Sequence, residues 1–442
     1  MRAVSRPDPG FDEALRGTSW NALVPDASPE IIAWPTTVKE VVEAVNGARE
    51  AGRQVAVRSG GHSWSANHVR EGATLIDLGG MDSILEINRE ARTAIVQPGC
   101  HGSDLVAELV AQDLFFPVGH CIGPALGGYL LQGGFGWNGR VYGPACQSVR
   151  ALDVVTADGE IVRASADSHP ELYWAARGSG PGFPGVVVAF HIDVYELPRE
   201  IVNCAYVYPE EVLDEVFTWA GEIGHDIPPQ MEFQILTHFA HDGTKEIVVA
   251  GPTFADTEEE AREITAVLQG CPVVERAKFG FPYVPVGMEE MFGAVNAQYP
   301  DDHRWAVDNM WTNAPAPELI PGVREIVDTL PAAPFSHTLW LAWEPGHPDC
   351  PEREEMAFSV EDDTYIAAYG VWDDPGLDGA NERWATERME AMEHLATGIQ
   401  LADENLARRT GRFMTDANYE RYDQVRDRYD PDGLFCTWAS RP

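Results

Sequence analysis

Two glycine-rich stretches decide how this chain folds. The first, Arg58–Trp64, reads RSGGHSW and follows a short β-type run; the second, Pro117–Gly136, reads PVGHCIGPALGGYLLQGGFG. Glycine at such density costs conformational entropy, so it indicates a backbone that must approach a ligand closely, and successive N–H groups can form an anion site. The chain has neither a Walker A pattern nor a well-placed Gly-x-Gly-x-x-Gly fingerprint. The stretches therefore predict a nucleotide or dinucleotide site without specifying which ligand it holds.

Composition excludes several other functions. The 442 residues carry 31 Lys and Arg against 70 Asp and Glu, which gives a formal net charge of −39. This charge argues against binding to nucleic acid and against docking on an anionic membrane. Apolar runs are shorter than the ~20 residues needed to cross a bilayer, and the first ten residues lack the pattern of a signal peptide. We therefore expect a cytoplasmic, bacterial-type protein that acts on small molecules.

The seven cysteines are scattered and form no CxxC pair. This spacing excludes a disulfide scaffold and a zinc site defined by sequence spacing. Histidines near the glycine-rich stretches also lack the spacing of a helix-face pair. We expect no metal site.

Hydrophobic patterning predicts an α+β fold in two parts. In the first part, Thr37 and Glu40 form a capping box for a helix, Ser103 caps a second helix, and Asp158-Gly159 forms a hairpin turn. From about residue 200 the pattern predicts an antiparallel sheet with helices on one face. Its strands are expected at 201–208, 230–239, 246–251, 337–343 and 365–372, and its helices at 210–223, 258–269 and 380–396, with a Pro- and Gly-rich stretch before residue 337. A final amphipathic helix is expected at 418–429.

Several motifs together resemble the berberine bridge enzyme-like flavoproteins of the vanillyl alcohol oxidase / p-cresol methylhydroxylase superfamily. The resemblance rests on the first glycine-rich stretch, on His120-Cys121 before Gly127–Gly136, on RGSGPGFPGVV at Arg177–Val187, and on the tail segments Asn418–Arg421 and Tyr429–Phe435. It implies FAD as cofactor. It also implies an FAD-binding domain at 1–200 completed by 403–442, and a substrate-binding domain at 201–402 whose sheet covers the flavin.

The resemblance also assigns cofactor-binding residues. His62 occupies the position joined to the 8α-methyl of FAD, and Cys121 the position joined to C6 of the ring. Imidazole and thiolate are both nucleophiles able to form such links. The other positions that match the family's flavin-binding segments are Arg58, Ser59, Gly60, Gly61, Ser63, Val118, Gly119, Gly123, Gly127, Gly128, Gly133, Gly182 and Val187.

The resemblance implies an FAD-dependent oxidoreductase. Hydride would pass to the flavin from an alcohol or amine carbon of a carbohydrate-like or natural-product substrate, with dioxygen as the expected acceptor. A flavin-bearing binding protein with little turnover, a dehydrogenase of the same fold and an NAD-dependent dehydrogenase are the alternatives. The chain departs from the family at Ala357–Glu361 and Cys436–Trp438, which weakens any transfer of substrate. It also carries Pro124 at the position thought to gate oxygen, which leaves oxidase and dehydrogenase both open.

Candidates for the catalytic base come from side chains able to accept or relay a proton. Tyr129 occupies a position near the flavin's reactive edge in the family. Strand alternation places Glu232 with Gln234, and Tyr365 with Tyr369, on shared faces. Glu344 ranks below these. The tryptophans expected to form a cleft for a sizeable ligand, with core packing as the alternative, are Trp305, Trp311, Trp340, Trp343 and Trp372.

Overall fold

Two parts of the chain meet around one large cavity. The computed structural model describes residues 1–333 and 335–441. The α+β prediction is confirmed, as is the two-domain flavoprotein architecture. Among the described residues, no helix combines the length and apolar character needed to cross a bilayer.

The first part contains three small sheets. Strands β1, β2, β4 and β3 form the first sheet in that order, with β4 parallel to both β2 and β3. The order β5-β6-β10-β8-β9 makes an antiparallel second sheet, and β7 pairs with β11. The strands are β1 (Arg2–Ser5), β2 (Ile31–Trp34), β3 (Val55–Arg58), β4 (Thr74–Asp77), β5 (Ile84–Asn88), β6 (Thr93–Val96), β7 (Leu114–Phe115), β8 (Val149–Val155), β9 (Ile161–Ser165), β10 (Val186–Asp193) and β11 (Tyr195–Glu196). The helices are α1 (Phe11–Arg16), α2 (Val38–Glu50), α3 (Gly102–Val110), α4 (Leu126–Leu131), α5 (Gly139–Tyr142) and α6 (Pro170–Ala176).

The second part is one eight-stranded antiparallel sheet, which we call the roof. Its order is β15-β12-β14-β13-β18-β19-β17, and β16 pairs with β12. The strands are β12 (Glu200–Pro209), β13 (Gln234–Phe239), β14 (Lys245–Ala250), β15 (Thr253–Ala255), β16 (Phe279–Pro285), β17 (Arg304–Thr312), β18 (His337–Ala342) and β19 (Thr364–Trp372). The helices are α7 (Leu213–Ile223), α8 (Glu258–Thr265), α9 (Met288–Asn296), α10 (Ala316–Asp328), α11 (Asp378–Asn381) and α12 (Trp384–Met392). An apolar core packs α7, α10 and α12 onto the outer face, so the inner face is free to form a cavity wall.

The tail returns to the first part. Helix α13 (Asp416–Tyr429) packs on α6. Beyond it, Val55 N–H donates to the carbonyl of Leu434 at 2.7 Å, and Cys436 N–H donates to the carbonyl of Val55 at 2.8 Å. These bonds extend the first sheet by one strand-like segment, so the end of the chain lies beside the first glycine-rich stretch.

Two expected helix caps differ in detail. Thr37 Oγ1 accepts from Glu40 N–H at 3.3 Å, but the Glu40 carboxylate accepts from Thr36 N–H at 2.8 Å instead of from Thr37. Helix α3 begins at Gly102, and the Ser103 hydroxyl donates across to the carbonyl of Ile122 at 3.3 Å. The prediction that Ser103 caps α3 was therefore wrong, because its hydroxyl bonds to the second glycine-rich stretch instead of to the helix.

The predicted secondary structure failed mainly between residues 270 and 336. Strands β16 and β17 and helices α9 and α10 all lie in this Pro- and Gly-rich region, where no element was expected. Helix α10 keeps Pro321 inside its first turns. The expected strand at 230–239 begins only at Gln234, because Glu232 N–H bonds outside the ladder, to the carbonyl of Pro252 at 2.8 Å. The expected helix at 380–396 divides into α11 and α12.

Candidate active site

A cavity of about 580 Å³ lies between the glycine-rich stretches and the inner face of the roof. The two stretches line one wall, and strands β12, β13, β14, β18 and β19 contribute to the other. Its size is within the range of small-molecule and cofactor sites.

The two glycine-rich stretches touch each other. A Cβ atom at Gly123 would lie 2.0 Å from Nε2 of His62, and one at Gly127 would lie 2.2 Å from the Ser59 hydroxyl oxygen. At Gly60 a Cβ would lie 2.8 Å from the backbone nitrogen of Ala125. Any side chain at these positions would separate the stretches, so glycine is required for both to form a single cradle.

Arg58 braces this cradle. Its guanidinium forms an ion pair with Asp77 at 2.7 Å and donates to the carbonyls of Thr18 at 2.9 Å and Gly60 at 3.1 Å. The N–H groups of the guanidinium are therefore bonded to other residues of the protein. Arg58 lines the cavity, but its charge is already balanced by Asp77.

His62 projects from the first stretch against Trp20. The two rings are stacked with centroids 4.6 Å apart. Burial lowers the pKa of His62 to about 4, and the nearby His101 and Arg58 add to this effect. The imidazole is therefore neutral near pH 7, which is the nucleophilic form.

Cys121 lies on the same wall, in the second stretch. Burial raises the pKa of its thiol to about 12, and the carboxylate of Asp403 adds to this effect. The neighbouring His120 is paired with Glu232, which lies just before β13 and also lines the cavity. Burial lowers the pKa of His120, but Glu232 outweighs that effect and raises it above the ordinary value. An ion pair therefore joins the two walls next to the thiol.

The predicted cofactor-binding residues fall into two groups. Those that line the cavity are Arg58, Ser59, Gly60, Gly61, His62, Ser63, Gly119, Cys121, Gly127, Gly128 and Val187. The other four, Val118, Gly123, Gly133 and Gly182, are not among the lining residues. A Cβ at Gly182 would lie 2.5 Å from the ring of Trp438, so glycine at this position allows close packing of the tail.

A buried carboxylate that the sequence reasoning missed lies against strand β19 of the roof. Asp403, in the loop after α12, accepts hydrogen bonds from the hydroxyls of Tyr365 and Tyr369, the latter at 3.0 Å, and from Trp64 Nε1 at 2.6 Å. Burial raises the pKa of Asp403 above its ordinary value despite these three donors. Burial and Asp403 together hold the pKa values of both phenols well above the usual one.

The structure separates the predicted catalytic candidates. Tyr365, Tyr369, Glu232 and Gln234 all line the cavity. Tyr129 lines it too, but its hydroxyl donates to the carbonyl of Pro117 at 2.5 Å. Its phenol therefore braces the second glycine-rich stretch.

Glu344 does not line the cavity. Its carboxylate pairs with Nδ1 of His225 at 2.5 Å, and the donor atoms of these two residues and Asp363 lie within 4.8 Å of one another. Glu344 is therefore not positioned to act as the base.

The tryptophans are mostly packing residues. Trp311 lines the cavity, whereas Trp340 packs in the helix-side core. Trp343 contacts Phe135, Trp305 packs with Trp20, and Trp372 donates to Asp378 at 2.7 Å. Of the five tryptophans expected to form a cleft, Trp311 alone lines the cavity.

Comparisons with known proteins identify this arrangement. Residues 29–165 match the model of an FAD binding domain. The FAD-linked oxidoreductase janO of Penicillium janthinellum is 31% identical over 433 residues, covering 96% of this chain and 94% of its own. The chain belongs to the FAD-linked oxidoreductases. Four relatives at 29–31% identity over 96–98% of the chain are fungal, so the expectation of a bacterial-type protein is not supported.

Solved structures share the whole fold. 6-Hydroxy-D-nicotine oxidase from Arthrobacter nicotinovorans superimposes with a TM-score of 0.85 at 22% identity, covering 99% of this chain and 97% of that one. BBE-like 1 from Physcomitrella patens gives 0.85 at 18% identity, covering 99% and 96%. This FAD-linked oxidoreductase therefore has the berberine bridge enzyme-like fold.

The residues present fit FAD. The cradle between the two glycine-rich stretches leaves no room for side chains at the points where they meet, and residues of both stretches line the cavity of about 580 Å³. That combination suits a ligand with a phosphate bridge and a flat ring.

Proposed function

We propose that this FAD-linked oxidoreductase is an oxidase that removes hydride from an alcohol or amine carbon, with Asp403 as the proton acceptor. Bound FAD supplies the hydride acceptor, and the chain supplies orientation and proton transfer. The observation that carries the proposal is the bonding of Tyr365 and Tyr369 to one oxygen of Asp403 on the cavity wall that faces His62 and Cys121.

The bonding pattern gives each group a role. Because both phenols donate their protons to Asp403, each phenol oxygen keeps lone pairs that can accept a hydrogen bond from a substrate O–H or N–H. The substrate proton can then move to a phenol oxygen while that phenol's proton moves to Asp403. The raised pKa of Asp403 makes it a stronger base than an ordinary carboxylate.

Trp64 fixes the base. Its indole N–H occupies the other oxygen of Asp403 at 2.6 Å. That bond orients the carboxylate so that the oxygen bonded to Tyr365 and Tyr369 is the one that takes the proton. The same tryptophan belongs to the stretch that contains His62, so the base and the cofactor cradle are positioned together.

We further propose that His62 and Cys121 attach FAD covalently. The low pKa of His62 keeps its imidazole neutral and nucleophilic. Both side chains line the cavity from adjoining stretches. The high pKa of Cys121 predicts that its link forms more slowly than that of His62 at neutral pH.

Dioxygen is the proposed electron acceptor. Three solved neighbours in the fold are named oxidases, which supports this choice, and one is named a glucose dehydrogenase. Pro124, at the position where the resemblance places oxygen gating, lines the cavity.

Two measurements on the purified yellow protein test the proposal. Peptide mapping by mass spectrometry should find the FAD mass on peptides that contain His62 and Cys121. Anaerobic mixing with alcohols and amines should bleach the flavin, and admission of air should restore the colour with release of hydrogen peroxide. A flavin that is bleached but recovers only with an artificial acceptor would identify a dehydrogenase instead.

A further inference from the structure

Strands β13, β14 and β18 of the roof present aliphatic side chains to the cavity. In the roof register, Leu236 of β13 lies directly between Val248 of β14 and Leu339 of β18. All three line the cavity and are only half-buried. We call these three side chains the apolar row.

The apolar row faces the cavity because of strand alternation. The intervening residues Ile235, Val249 and Trp340 are almost fully buried in the core beneath α7 and α10. The side chains of the apolar row are therefore not part of the core beneath the helices. Their exposed carbon atoms face the space between the roof and the cofactor cradle.

The neighbouring row connects this surface to the proposed base. Leu341 lies between Gln234 and Tyr365 in the register, and Ala250 lies beyond Gln234. With strands about 4.8 Å apart, this part of the roof extends roughly 14 Å from Tyr365 to β14, and Gln234 is the one polar side chain between Leu341 and Ala250 in the neighbouring row. Further lining residues from β12, β16 and the region of α9 are the apolar Ala205, Phe281, Met291, Ala294 and Val295 and the polar Asn203 and Gln298.

We infer that the substrate is a large, mainly apolar polycyclic alcohol or amine and not a carbohydrate. The inference rests on the proposed function, which places the reacting carbon at Tyr365, Tyr369 and Asp403. A sugar in this space would leave hydroxyl groups against Leu236, Val248 and Leu339, where they lose hydrogen bonds to water and gain none. A hydrocarbon body instead gains free energy for each carbon atom that leaves water.

Equilibrium binding to the anaerobic holoenzyme tests the inference with matched probes. Cyclohexanol, 2-decalol and androstan-3-ol carry a secondary hydroxyl on one, two and four rings, and glucose and cellobiose are the carbohydrate probes. Changes in the visible flavin spectrum or in tryptophan fluorescence report binding without requiring turnover. Affinity should rise about tenfold or more from cyclohexanol to 2-decalol and rise again for androstan-3-ol.

Variants of the apolar row locate the effect. Leu236→Asn should lower the affinity for 2-decalol about tenfold. Leu236→Met keeps an apolar side chain of similar volume, so its affinity should stay close to that of the unmodified protein. Leu85→Asn is the matched control, because Leu85 is 54% exposed and lies outside the cavity. Retained flavin spectra and unfolding temperatures show that each variant is folded.

The outcomes separate the two proposals. Equal affinity for cellobiose and 2-decalol, or no change in Leu236→Asn, overturns the inference. Tight binding of 2-decalol that depends on Leu236, without flavin reduction by any alcohol or amine, supports the apolar site and contradicts the proposed function. Flavin reduction by sugars together with no binding of the polycyclic alcohols overturns the inference and supports the oxidase.

Discussion

The two walls of the cavity are built in different ways. The cofactor wall comes from two short glycine-rich stretches in which the functional residues are neighbours in sequence, such as His62 with Gly60 and Gly61. The roof wall brings Tyr365 and Asp403 together from two distant segments, and Trp64 of the cofactor wall also bonds to Asp403. The cofactor wall is therefore set by local backbone requirements, and the roof wall by long-range pairing that only the folded chain creates.

The largest expected effect separates the chemical contributions of the two walls. Asp403→Asn keeps the side-chain volume and removes the proton acceptor. The rate constant for anaerobic flavin reduction should fall about 10³-fold, within the range for loss of a general base. Rapid-mixing absorbance with a reducing substrate measures it, and the flavin should stay bound because the cradle is untouched.

Asp301→Asn provides the matched control. Asp301 also accepts an indole N–H, from Trp20 at 2.6 Å, but it is exposed and does not line the cavity. Its reduction rate should remain close to that of the unmodified protein. Equal losses in Asp301→Asn and Asp403→Asn would mean that Asp403 acts only through packing.

Arg140 tests how the two walls are joined. This buried residue of α5 donates to the carbonyls of Trp343 at 2.9 Å and of Ile227 at 3.1 Å, both on the roof side. Arg140→Met leaves those carbonyls without donors, so the free energy of unfolding should fall by about 3 kcal/mol in denaturant titrations. Arg163→Met, which removes an exposed arginine paired with Asp153, should cost less than about 1 kcal/mol.

The two roof tyrosines should differ in effect. Tyr365→Phe is expected to slow flavin reduction about 100-fold, and Tyr369→Phe about tenfold. Tyr365 makes the closer contact with Asp403, whereas Tyr369 also stacks on His337 with ring centroids 4.3 Å apart and so has a packing role. The double variant should lose less than the product of the two effects, because both phenols use the same oxygen. A larger loss in Tyr369→Phe would exchange their proposed roles.

The sequence predicted the α+β class and the hairpin at Asp158-Gly159, because each depends on local turn chemistry or periodicity. It indicated Tyr365 and Tyr369 through strand alternation. The domain limits and the roles of the site residues stay predictions.

Asp403 could not be found in the same way. It lies in a short irregular segment with no periodic pattern, and its significance depends on donors 34 to 339 positions away in sequence. The elements between residues 270 and 336 were missed because proline and glycine outweighed the strand pattern of β17. Tertiary pairing with β19 stabilises that strand despite its context.

The smallest expected effect concerns the stability of the roof as the pH changes. Burial raises the pKa of Asp403 in the folded protein, so the folded state binds this proton more tightly than the unfolded state does. The contribution of Asp403 to stability is therefore fully present below its unfolded pKa and is lost as the pH rises through the folded value. The unfolding free energy of the unmodified protein minus that of Asp403→Asn should decrease as the pH rises above about 4, the ordinary pKa of an aspartate, in urea titrations, because the other titrating groups cancel in the difference. An increasing difference would mean that the three donors outweigh burial, and Asp403 would then be a weaker base than its position suggests.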